Sequence, residues 1–375
     1  MAGLRSDIDP EGLLEYSVVF TDRSLNHMSQ AFQGVMRDIH ATLCEVYNAE
    51  RAVVIPGGGT YAMEAVARQF ATDAKVMVIR NGFFSYRWTQ IFEAGKIPSE
   101  EIVMKAQRQG DAVDAPFEPA PIADVVVRIK AERPAMLFAP HVETASGMIL
   151  PDDYLRAVAD AVHEVGGLFV LDCIASGCAW VDMAATGVDI LISAPQKGWS
   201  AAPCAGLVMM NAAALERCRA TTSTSFAIDL GKWLTIMEAY LNGGHAYHAT
   251  LPTDALRAFR DAMLETKAIG FEKLRDAQWE QGNGVRALLA ARGVRSVAAE
   301  GFGAPGVVVS YTSDPEVQSG KKFAALGLQI ASGVPLMVDE GPDYKSFRLG
   351  LFGLDKLADV PASLARLEGA FDKVF

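Results

Sequence analysis

Apolar positions along this chain follow two spacings that alternate. Residues 26–49 carry Met28, Phe32, Val35, Met36, Ile39, Leu43 and Val46 at steps of three and four, which predicts a helix. The same spacing predicts helices from about residue 62 and over 122–133, 154–165, 212–219, 253–270 and 271–291. Between them lie short, unbroken, β-branched runs at 52–55, 75–79, 101–104, 135–139, 168–171, 189–192 and 207–210. Such runs read as strands of an α/β sheet. Residues 107–121 are polar and proline-rich and read as a surface loop, and 226–244 are less regular. From about residue 271 the texture changes. Strands are expected at 294–299, 306–311 and 347–350, with helices at 317–326 and 357–374. The expected organisation is an N-terminal arm (1–25), a large domain (26–270) and a small α+β C-terminal domain (271–375).

Composition narrows the function. The 375 residues carry a net charge of −11, which opposes nucleic acid or an anionic membrane surface as partner. No run is long and apolar enough to span a bilayer. The opening MAGLRSDIDPEGL has acids and a proline where a secretory signal needs an apolar run, so a cytoplasmic protein is expected. The 5 cysteines show no paired spacing and no C-x-x-C, and the 6 histidines no H-E-x-x-H. Buried, reduced thiols and no metal site are expected.

The candidate chemistry centres on 168–199. The run 168–171 ends at Asp172, and 189–192 runs out through Ser193-Ala194-Pro195-Gln196 to Lys197. Ligands of open α/β sheets collect at the carboxyl ends of strands, so one carboxylate and one amine meet at one edge. A lysine can form a Schiff base with pyridoxal 5′-phosphate (PLP), and an aspartate can keep the pyridine nitrogen protonated. On these two residues alone, a loop-capping aspartate and an ordinary surface lysine remain open. Residues 52–55 lead into PGGGTYAMEAVARQF, where Gly57, Gly58 and Gly59 permit close approach of a ligand and Thr60 can cap the next helix. A helix N-terminus is an anion site, though a plain tight turn also fits. The pattern is neither a Walker loop nor a dinucleotide fingerprint. Arg348 lies in an apolar strand, FRLGLFG, and its fork suits a carboxylate or a structural ion pair.

In combination these motifs resemble the class V aminotransferases of PLP fold type I, nearest the alanine–glyoxylate and serine–pyruvate aminotransferases. The resemblance runs from about residue 50 to 353. SAPQKGWSAAP matches the family's lysine motif, implying Lys197 as the Schiff-base lysine with Gln196 beside it, and Asp172 matches the strand-end aspartate. Asn81-Gly82-Phe83-Phe84 matches Asn-Gly-x-Trp, implying that Phe84 stacks on the cofactor ring in place of tryptophan. Gly58-Gly59-Thr60 falls on the phosphate turn, where Gly58 lacks the family's serine hydroxyl. HVETASG implies Thr144 near the cofactor, and Arg348-Leu349-Gly350 implies a grip on the substrate α-carboxylate. Tyr247-His248-Ala249-Thr250-Leu251-Pro252 matches a segment whose Tyr and Thr reach the partner's cofactor phosphate, implying a homodimer with active sites at its interface. The Pro-Gly-Pro near the start of relatives is missing, and 16–29 diverges.

The fold so implied is α/β, with a mostly parallel seven-stranded sheet plus the small α+β domain. The reaction implied moves an amino group from an alanine- or serine-like amino acid to a 2-oxo acid such as glyoxylate or pyruvate. It is a ping-pong cycle through pyridoxamine phosphate. A 2-aminoethylphosphonate transaminase, or a PLP-dependent lyase or aldolase on the same fold, is the alternative. A desulfurase would need a cysteine on a mobile loop, whereas the cysteines here lie mostly in apolar or compact stretches and the lysine motif differs; a non-enzymatic regulator would need a lost lysine or an added DNA-binding domain, and neither is seen.

Overall fold

The computed structural model describes residues 8–18 and 23–375. Residues 1–7 and 19–22 of the expected arm, the latter within the divergent segment 16–29, lie outside the described residues.

Seven strands form the central sheet: β1 (Arg51–Pro56), β2 (Lys75–Arg80), β3 (Glu100–Lys105), β4 (Met136–Pro140), β5 (Leu168–Asp172), β6 (Ile190–Ser193) and β7 (Ala205–Met210). Their order is β1-β7-β6-β5-β4-β2-β3. Six strands run the same way and β7 alone runs against them. Every residue of β4, β5, β6 and β7 is buried, which is why these strands are unbroken apolar runs without alternation. From the middle of the sheet the chain builds outward from β2 to β3 on one side and from β4 through β5 and β6 on the other. The loops leaving β2 and β4 therefore diverge over a crevice at the carboxyl edge, where ligands bind in such sheets.

A second sheet is antiparallel: β8 (Val307–Tyr311), β9 (Ala331–Ser332) and β10 (Ser346–Gly350), with β10 in the centre. Val285, Leu289, Phe323, Phe347 and Phe371 form its own core. A separate apolar layer, including Ala145, Met148, Ala175, Val307, Val309 and Leu336, joins it to the loops of the central sheet. No described helix is long and apolar enough to cross a membrane.

Four stretches differ from their sequence reading. Residues 226–244 contain a helix, Leu230–Leu241, capped by the Asp229 side chain accepting from Lys232 N at 3.0 Å. Its buried face (Leu230, Trp233, Leu234, Met237) has helical spacing that Gly231, Gly243 and Gly244 obscure. The run 294–299 is no strand and makes only isolated bridges, Ser296 to Ser310 and Ala298 to Phe117. The helix expected at 317–326 is two short pieces, Pro315–Gln318 and Lys321–Ala324, because Gly320 turns left-handed between them at φ 79°. The 107–121 loop is partly ordered: Gln107–Arg108 pairs with Phe117–Glu118, and Phe117 is buried beneath the Arg108 guanidinium.

Candidate active site

Asp172 and Lys197 leave the carboxyl edge of adjacent parallel strands. Ile192 of β6 stands in register with Asp172 of β5. Asp172 is buried, and one carboxylate oxygen accepts from Ile174 N at 2.9 Å. No lysine, arginine or histidine pairs with it among the described residues. Burial pushes its carboxyl up to about 7; the Ile174 N–H and Arg87 oppose that and Glu143 adds to it. This is a carboxylate awaiting a cation, since burying an unpaired charge costs several kcal/mol.

Lys197 sits on a turn that only glycine permits. A Cβ on Gly198 would lie 2.1 Å from the Gly177 carbonyl oxygen. Ser200 N donates back to the Lys197 carbonyl at 3.2 Å. The Lys197 Nζ has no carboxylate partner among the described residues and lies 5.2 Å from the centroid of Phe352. Burial first, and Arg348 second, hold its amine below the ordinary lysine range. A lysine so placed is more readily neutral, and hence nucleophilic and basic. Beside it, Gln196 Oε1 is buried without a hydrogen-bond partner.

The glycine-rich turn opens the helix Gly59–Phe70, whose N-cap is Gly58 and has no side-chain cap. Thr60 is not the cap expected from the sequence. It lies inside the first turn, and its Oγ1 accepts from Arg87 Nη1 at 3.1 Å. Free N–H groups and a guanidinium thus face one place, which suits a phosphate. Gly57 holds φ 121°, and a Cβ on Gly59 would meet Ile174 Cδ1 at 2.3 Å, so a side chain there would have to displace Ile174.

Glu143 ties the β4 loop to the β2 loop. It is fully buried. Its Oε1 accepts from Phe84 N at 3.1 Å and Ala145 N at 2.9 Å, and its Oε2 from Ser85 N at 2.9 Å and Ser85 Oγ at 2.6 Å. Four donors on one carboxylate fix the start of the helix Phe83–Gly95 and with it the Phe84 ring. Arg87 lies over that ring at 5.3 Å and Arg348 at 5.6 Å. Arg348 comes from the centre of the small sheet, and its Nε donates to the Ser332 carbonyl at 2.8 Å. It makes no salt bridge among the described residues, so the structural ion pair open in the sequence is not what it does. Burial lowers its pKa, against Glu143 and Tyr344.

Lys197, Asp172, Gln196, the Gly58–Thr60 turn, Phe84, Thr144 and Arg348 therefore gather at one edge of the sheet. Thr144, half-buried, follows Glu143 in the β4 loop, and its side chain has no hydrogen-bond partner among the described residues. Tyr247 and Thr250 do not join them. They bond each other at 3.3 Å and line a cavity of about 370 Å³ with Ser24, Leu25 and His27. Tyr247 is 57% exposed. The sequence reading missed Glu143, Arg87 and Phe352. Glu143 stands within the HVETASG stretch already singled out and Arg87 three residues beyond Phe84, and a glutamate inside a strand-end loop is a signal of a buried acceptor. Phe352 carried no such signal.

A sequence profile of the family described as Aminotransferase class-V matches residues 13–297. Among related proteins, a 2-aminoethylphosphonate–pyruvate transaminase of Paraburkholderia phymatum is 27% identical over 350 residues, covering 90% of this chain and 88% of that protein. Among solved structures, alanine–glyoxylate aminotransferase from Nostoc sp. superposes with a TM-score of 0.78 at 21% identity, covering 93% of this chain and 88% of its own. Pyridoxamine–pyruvate aminotransferase from Mesorhizobium loti gives a TM-score of 0.76 at 17% identity, covering 93% and 86%. At such identities the two structures speak for a shared fold.

Proposed function

This chain belongs to the class V aminotransferases, PLP-dependent enzymes of fold type I, and we propose that it moves an amino group from a small, acid-bearing donor to a 2-oxo acid. The donor on this reading is alanine- or serine-like and the acceptor is glyoxylate or pyruvate. The observation that carries it is the buried Lys197 amine, held below its usual pKa by burial and by Arg348, at the same sheet edge as the unpaired Asp172.

The residues present fit PLP. Asp172 lacks a cation that a pyridinium would provide, and Gln196 Oε1 lacks a partner. The uncapped turn at Gly58, Gly59 and Thr60 suits the phosphate, and the Phe84 ring, fixed by Glu143, and Thr144 beside that glutamate are the groups this reading offers to the cofactor ring. PLP supplies an electron sink for the pair left when the donor's C–H bond breaks. The chain does the rest. Asp172 holds the proton at the pyridine nitrogen. Arg348 grips the donor's acid group with the fork left free by its Ser332 bond. Lys197 Nζ, neutral, takes the proton from the donor's reacting carbon and delivers it again. Each of the five cysteines has its thiol pKa raised by burial, which leaves no ready thiolate for desulfurase chemistry.

A second reading is favoured by the Paraburkholderia relative: 2-aminoethylphosphonate as donor and pyruvate as acceptor. Arg348 suits a phosphonate as well as a carboxylate. The reading also includes a large domain to about residue 270, a small one after it, a cytoplasmic location, and a homodimer in which Tyr247 and Thr250 serve the partner's phosphate site.

The test begins with an absorbance spectrum of the purified protein with PLP, before and after borohydride. Peptide mapping should then find the cofactor fixed on Lys197. Alanine, serine and 2-aminoethylphosphonate are added in turn. Loss of the visible band with one donor, reversed by pyruvate or glyoxylate, identifies donor and acceptor together. A protein that develops no band with PLP would sink the proposal. Arg348→Gln should lower kcat/KM for the true donor by roughly 100-fold, the loss of a charge-assisted pair in a desolvated site. The same change removes a positive neighbour from Lys197, so the acid limb of the pH–rate profile should move to higher pH.

A further inference from the structure

We infer that Phe352 is the wall that limits how large a substituent the donor carries on its reacting carbon. The inference rests on the reading of Lys197 and Arg348 given above.

The ring is held on both edges by backbone. A Cβ on Gly306 would lie 3.0 Å from Phe352 Cε1, one on Gly177 3.4 Å from Cδ1, and one on Gly350 3.7 Å from Cδ2. Main chain thus flanks the ring on both edges, most tightly at Gly306, where a side chain would press on it. The segment behind it is tied to the lysine turn, since Leu354 N donates to Ser200 Oγ at 2.9 Å. Gly177, which packs on the ring, is also the residue against which Gly198 closes. Ring and lysine turn are thus built as one unit. The ring presents its face to Lys197 Nζ, which lies 5.2 Å from the centroid, within cation–π reach.

Donor and lysine nitrogens serve the same cofactor carbon in turn. The donor's reacting carbon therefore comes to rest within a bond or two of where Nζ stands. Its acid group is drawn to Arg348, which lies on the same short segment as Phe352 and points to Phe84. Nitrogen and acid are then both fixed, and the remaining substituent meets the Phe352 face. Hydrogen, methyl and hydroxymethyl fit there. Branched and aromatic groups do not. The donors admitted are glycine-, alanine- and serine-like amines, or an aminoalkylphosphonate with little or nothing on the amine-bearing carbon.

The experiment uses the PLP-loaded enzyme and follows the loss of the visible band on mixing with L-alanine and with L-leucine. Wild type should favour alanine by well over tenfold. In Phe352→Ala the leucine-to-alanine ratio of kcat/KM should rise at least tenfold, on the scale of a methylene or two in an apolar pocket. Phe352→Leu, which keeps the packing, should rise less and guards against misfolding of the alanine variant. If the donor is a phosphonate, 2-aminopropylphosphonate and its isobutyl counterpart take the places of alanine and leucine. A parallel fall for both donors would show a purely structural role and overturn the inference. So would a wild type that accepts leucine as well as alanine. Failure of borohydride to mark Lys197 in wild type would instead overturn the reading of the site, and it is seen without any variant.

Discussion

Asp172→Asn should cost activity and yet stabilise the cofactor-free chain. An asparagine cannot hold a full positive charge at the pyridine nitrogen, and leaving one member of a buried ion pair alone costs about 3–5 kcal/mol. At 1.36 kcal/mol per tenfold, kcat should fall by roughly 100- to 1,000-fold or more. Stability without cofactor runs the other way. Burial pushes the folded pKa of Asp172 up to about 7, against an ordinary aspartate value of 3.8. Between those two values the folded chain keeps a proton that the unfolded chain has released. Rising pH therefore removes stability through this window, and above about 7 the full loss is present. Asparagine has no proton to lose. Urea unfolding of the cofactor-free proteins should find wild type and variant alike near pH 3, below both values, and the variant more stable by on the order of 4 kcal/mol at pH 8. Equal stability at pH 8 would mean that Asp172 has a cationic partner in the chain after all. PLP should reverse the order, because it brings that partner to wild type alone.

The sequence made the fold legible where burial was uniform. Unbroken runs such as 168–171 and 189–192 became fully buried parallel strands because both faces of the sheet are covered. Lys197 and Asp172 were legible for the same reason: polar residues at the ends of such runs stand out, and parallel strands bring their ends to one edge. What was not legible depends on contacts between distant segments. Phe352 looked like any apolar residue of FRLGLFG, and its place against Lys197 follows from Gly177 and Gly306 packing on its edges. Glu143 gained its meaning from the Phe84 and Ser85 N–H groups of another loop. Thr60 had the composition of a cap, but the helix begins one residue earlier, and Arg87 takes up its hydroxyl. The run 294–299 had strand composition without a partner edge to pair along. In each case the deciding fact was a neighbour far away in the chain.

Lys197→Ala should lower turnover by roughly 10,000-fold or more, since one side chain both anchors the cofactor and moves the proton. The Asp172 carboxylate, Gly58–Thr60 turn and Arg87 are untouched, so PLP should still bind, now without a covalent link, and borohydride should fix nothing to the chain. Lys197→Arg separates the two duties from charge. It keeps the positive charge near Phe352, yet a guanidinium does not deprotonate at working pH. It should be as inactive as the alanine variant. If it kept more than about 1% of activity, the role of Lys197 would be electrostatic and the proton would move through another group. The pH profile of wild type gives the complementary result. Burial and Arg348 lower the Lys197 pKa, so the limb reporting the neutral amine should lie below the ordinary lysine value of 10.5. In Arg348→Gln that limb should shift upward while the Asp172 side of the site stays intact. A limb that moved down, or did not move, would separate Arg348 from Lys197 and leave the amine's reactivity to burial alone.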